Sequence, residues 1–83
     1  MGFVNRKQQQ ILNTIADRFP DENEDYPLEG VIEHCQKETG RKPDDIEHTI
    51  HLLVSKKMLD LETSHHQTFI RLTMRGAIEA EPV

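Results

Sequence analysis

The 83-residue chain has no Trp, one Tyr, three Phe, one Cys and only four Gly, and each scarcity excludes something. A lone Cys35 forms neither an internal disulfide nor a multi-cysteine zinc site, so the fold closes by packing and suits a reducing compartment. Glycines scattered at positions 2, 30, 40 and 76 make no phosphate-cradling loop. No apolar run approaches the roughly 20 residues that cross a bilayer, and "MGFVNRKQQQ" lacks the apolar centre of a signal peptide. The expectation is a soluble cytoplasmic protein without membrane association. With so few aromatics the core must come mainly from Ile, Leu, Val and Met, and the length allows a single domain, residues 1–83, with a thin core. Bases are also in deficit: 10 against 15 acids gives a net charge of −5, a mean field that repels polyanions unless local groups of bases overrule it.

What is present is periodic. In "NRKQQQILNTIADRF" the residues Ile11, Leu12, Ile15, Ala16 and Phe19 recur at three- and four-residue spacing, predicting a helix with one apolar stripe. Asn5 caps it, with Gln8 three residues on as the reciprocal partner, and Arg6 and Lys7 read as a helix end. Pro20 and "DENEDYP" then predict a solvated acidic loop. A second helix follows from Leu28, Val31, Ile32 and Cys35, stopped by Gly40. "RKPDDIEHTIHLLVSKK" predicts a third, with Pro43 and the acids Asp44 and Asp45 in its first turn and Ile46, Ile50, Leu53 and Val54 as its buried stripe.

From Met58 the period falls to two. Leu59 and Leu61 alternate with Asp60 and Glu62, and Ile70 and Leu72 with Phe69 and Arg71, which predicts two strands joined by "TSHHQ" as a hairpin. Thr73 then caps a short helix, "MRGAIEAE", whose Met74, Ala77 and Ile78 share a face. Gly76 lets that helix approach its neighbour closely.

The order of elements, with "LLVSKKMLDLE" followed by "FIRLTMRGAIEA", resembles the winged helix-turn-helix family from about Asn5 to Ala80. Leu53, Leu59 and Leu61 match the family's Leu-rich helix end and first wing strand; Ile70, Leu72, Thr73 and Gly76 match its second strand and the start of the terminal helix. The resemblance implies an α+β fold: three helices, a two-stranded hairpin wing and a short C-terminal helix. It also implies duplex DNA as partner, with helix three in the major groove and the wing beside the backbone.

On that expectation Arg41, Lys42, Lys56, Arg71 and Arg75 hold phosphates, His48, Thr49 and His51 face base edges, and His65 and His66 form the wing tip. Arg71 in particular is expected to contact backbone. A histidine ordinarily gains its charge near pH ~6.5, so a phosphate contact from the tip would strengthen as pH falls. The acids of helix three and of "DENEDY" support an alternative: a protein-interaction module that meets a basic partner and leaves DNA alone. Leu52 and Phe69, exposed together, would mark a protein interface or a homodimer.

Enzymatic chemistry is not expected. Cys35 lies on an apolar stripe, where a thiol behaves as a small hydrophobe, and Asp44 and Asp45 are explained by the helix dipole. His48 and His51 lie on one side of helix three, but two ligands do not make a zinc site, and side chains of neighbouring His65 and His66 point apart in extended chain. No metal or other cofactor is implied.

Overall fold

The structure, a computed structural model, describes residues 4–80. The order of elements is α1 (Arg6–Arg18), β1 (Tyr26–Pro27), α2 (Leu28–Thr39), α3 (Pro43–Ser55), β2 (Leu59–Ser64), β3 (Gln67–Leu72) and α4 (Met74–Glu79). Glu81, the last residue of the predicted terminal helix, lies outside the described residues.

Local chemistry sets the boundaries. Asn5 Oδ1 accepts from the Gln8 N–H at 2.8 Å and Gln8 Oε1 accepts from the Asn5 N–H at 3.2 Å, so two otherwise orphaned donors of α1 are satisfied reciprocally. Gly40, at φ 74°, ends α2 in the left-handed conformation. Only Arg41 and Lys42 separate it from Pro43, which starts α3 where a missing N–H costs nothing. The far end of α3 closes by a paired exchange: the Met58 N–H donates to Leu53 O at 3.0 Å and the Lys57 N–H to Val54 O at 2.9 Å. This is the Schellman arrangement, with Lys57 at φ 66° in the place that glycine usually fills.

Burial follows the predicted stripes. Ile11, Leu12 and Ile15 of α1, Val31 and Cys35 of α2, and Ile46, Ile50 and Leu53 of α3 meet Met58, Leu59, Ile70 and Leu72 in one core. Phe19, at the end of the stripe, packs against the edge of this core. It caps the end of α1 half-buried, with its ring 4.8 Å from that of Tyr26 and edge-on to His34 at 5.6 Å.

Part of the predicted acidic loop is strand. Tyr26 and Pro27 pair antiparallel with Ile70 and Phe69, so the sheet has three strands in the order β1-β3-β2 rather than a hairpin alone. The hairpin register runs from Leu59↔Leu72 to Ser64↔Gln67 and leaves His65 and His66 as a two-residue turn. Both have positive φ, 52° and 65°, the geometry that matches the twist of the flanking strands. Thr73 joins the hairpin to both helices around it: its hydroxyl donates to Lys57 O at 2.7 Å and accepts from the Gly76 N–H at 3.0 Å. The helix it caps shares only part of its apolar face with the core, because Ala77 packs inward while Met74 and Ile78 are 70% and 74% exposed. No helix among the described residues is long and apolar enough to cross a membrane.

Candidate nucleic-acid interface

With Ile46, Thr49, Ile50 and Leu53 buried, α3 turns Asp44, Glu47, His48, His51, Leu52 and Ser55 to solvent. Thr49 is therefore misplaced among the predicted base-facing residues. It is 1% exposed, and its hydroxyl donates to Asp45 O at 2.9 Å, which lets a polar side chain lie in the core. His48 and His51 do face outward, and His51 Nε2 lies 3.8 Å from Glu47 Oε2 one turn back.

Asp45, read from the sequence as a first-turn acid that suits the helix dipole, also ties elements of the fold together. It takes Lys7 Nζ at 2.8 Å and Arg41 Nη1 at 3.6 Å, tying α1 and the α2–α3 turn to the start of α3. The hydrogen bond from Lys7, helped by the charge of Arg41, holds its carboxyl below the ordinary value.

The other predicted phosphate contacts divide. Lys42 and Arg75 are exposed and Lys56 is half-buried. Arg71 lies between two carboxylates, 3.5 Å from Asp25 and 3.3 Å from Asp60, and this neutralises the cation expected to grip backbone. Asp60 is its cross-strand partner in the hairpin register; Asp25 reaches it only because β1 docks on β3.

The hairpin tip stands beside α3. His65 and His66 share a cleft of about 570 Å³ with Leu28, Glu29 and Ile32 of α2 and Glu47 of α3. Among the described residues, no three His, Cys, Asp or Glu side chains are grouped to hold a metal ion. Cys35 is fully buried, and burial pushes its thiol up to about 11, so it presents no nucleophile.

Leu52 and Phe69 do not form the joint exposed patch considered above. Leu52 is 36% exposed, whereas Phe69 is half-buried in the sheet between Pro27 and Glu62. Arg6 and Lys7 read from the sequence as a helix end only, yet the sequence held a further signal for them. Bases in the first turn of a helix oppose its dipole, so they call for another reason to be there.

No family model matches the sequence, and neither does any curated protein. Among solved structures, the crystal structure of SSV1 F-93 superposes with a TM-score of 0.71 over 94% of this chain and 81% of that one, at 12% identity. The chain has a winged-helix fold. In its terms α2 and α3 are the helix-turn-helix, and β2 and β3 form the wing.

Proposed function

We propose that this winged-helix chain is a small non-enzymatic regulator that binds duplex DNA through the outward face of α3 and the wing. The observation that carries the reading is the division of α3: one side is sealed into the core, and the other is clear of the fold beside the wing tip. A helix about 10–12 Å across fits a major groove about 12 Å wide. His48 and His51 then reach base edges, Glu47 accepts from a cytosine amino group, and Lys42, Arg41, Lys56 and Arg75 approach phosphates. With a net charge of −5 the binding is weak at physiological salt and strengthens steeply as salt falls. A reducing, cytoplasmic setting agrees with the single buried thiol.

The test is to add random-sequence duplex to isotopically labelled protein at low salt and follow the amide resonances. Shifts concentrated in residues 41–56 and at the wing tip support the reading, and an unchanged spectrum at high micromolar DNA rejects it.

A second reading has its own observation. Lys7 and Arg71 are held by carboxylates, while Asp44 and Glu47 stay exposed on α3. That charge distribution fits a basic protein partner. A basic peptide that shifts the α3 resonances, where DNA shifts none, would select this reading.

A further inference from the structure

Two concavities of opposite charge lie near the helix-turn-helix: one includes Glu47 of α3, the other Arg41 of the turn that leads into α3. The one under the wing tip sets Glu29 and Glu47 among its lining residues. The other, about 620 Å³, is formed by Arg6, Gln9, Gln10, Asn13 and Thr14 of α1 together with Arg41 of the α2–α3 turn. It contains two guanidiniums, three amides and a hydroxyl, and among the described residues no carboxylate lines it. In a chain whose acids outnumber its bases by 15 to 10, such a surface is not what composition alone supplies.

Its side chains are also held in place. Arg41 Nε donates to Gln10 Oε1 at 2.9 Å, and Gln9 Nε2 donates to Asn13 Oδ1 at 2.9 Å and to Glu79 O at 2.8 Å. Arg41 also links this surface to α3, since its Nη1 lies 3.6 Å from Asp45.

A duplex seated on α3 brings backbone phosphates against the protein beside that helix. On the wing side those phosphates approach two glutamates, which repel them. On the α1 side they meet planar guanidiniums and amide donors, groups suited to phosphate oxygens. Resting on the DNA-binding reading above, we infer that the α1 concavity is the docking surface for one strand of the duplex backbone, gripped by Arg6 and Arg41. The interface therefore extends beyond α3 and the wing onto α1, and its main phosphate anchor lies on the α1 side.

The test measures affinity of the full chain for a random-sequence duplex by fluorescence anisotropy between about 50 and 200 mM salt. Each phosphate contact contributes about 0.9 to the slope of log affinity against log salt. The double variant Arg6→Gln, Arg41→Gln should lose about 1.8 from that slope, so the fall in affinity over this salt range becomes about twelvefold smaller. Arg6→Gln alone, at an exposed site, should lose about 0.9 and remains informative if the double variant does not fold. Gln10→Glu keeps the acceptor for Arg41 and adds a negative charge, so it should weaken binding at the low-salt end. Slopes equal to wild type in folded variants overturn the inference and leave DNA binding by α3 standing. Absence of binding by the wild-type chain overturns both.

Discussion

Replacing Gly76 with alanine tests the closest approach in the fold. The added methyl carbon would be driven against the carbonyl oxygen of Met58, with Leu72 Cδ1 at 2.9 Å and the Met58 carbonyl carbon at 3.0 Å. The leucine methyl is the end of a flexible side chain and can yield. The carbonyl cannot, because it accepts from the Thr73 N–H at 3.3 Å while the N–H of the same residue closes α3 on Leu53 O. Overpacking a tight site costs about 1–3 kcal/mol, and an obstructing main-chain atom places this one toward the upper end. Against it stands the helix propensity of alanine over glycine, about 1 kcal/mol, which a six-residue helix realises only in part.

The expected net loss is about 2 kcal/mol, and a domain of this size loses about 4–8 °C in Tm per kcal/mol, so Tm should fall by roughly 8–16 °C. Urea titration should show a lower midpoint at unchanged slope. The control is Gly30→Ala in α2, where an added Cβ meets nothing within 4 Å and stability should rise by about 0.5–1 kcal/mol. If Gly76→Ala stabilised the protein as Gly30→Ala does, the packing of α4 on Met58 would be wrong.

Lys57→Gly and His66→Gly each replace a side chain in the left-handed region. Each should raise stability by about 0.5–1 kcal/mol in chemical denaturation, a conformational cost of about 1–2 kcal/mol less the entropy that glycine adds to the unfolded chain. Because the folded carboxyl of Asp45 titrates below its ordinary value of 3.8, its contribution is complete above that pH and is lost as pH falls through the depressed folded value. Acid unfolding of Lys7→Met should therefore begin at higher pH than in wild type, and coincident acid transitions would refute the Lys7–Asp45 link. Cys35 should not react with a disulfide reagent at pH 8 in the folded state and should react at once in denaturant; prompt labelling of the native protein would contradict its burial.

Features set by neighbours in sequence were readable before the fold was known. Asn5 and Gln8 lie three residues apart, Gly40 and Pro43 bracket the turn, and Thr73 precedes the helix it caps, so each signal is complete within one turn of chain. Features set by distant neighbours were not. Tyr26 and Pro27 become strand only because β3 offers them an edge more than forty residues later, and two residues carry no periodicity of their own. Thr49 is a different case, for its partner is local: it lies on the buried stripe with Ile46, Ile50 and Leu53, and its hydroxyl bonds one turn back. Its bond to the carbonyl of Asp45 supplies the one partner that makes burial tolerable.

The interface follows the same division. Which residues of α3 point outward came from the period of the stripe, and His48, His51, Asp44 and Glu47 are where that period puts them. Which bases are able to meet a phosphate did not, because ionic partnership is a contact property. Arg71 looked available until β1 brought Asp25 to one side of it and the hairpin register brought Asp60 to the other. Arg6 looked like a helix end until the turn before α3 laid Arg41 beside the same face of α1. A net charge of −5 describes neither situation. A phosphate within a Debye length of about 8–10 Å responds to the nearest few charges, so the local arrangement decides whether an acidic chain can hold a polyanion.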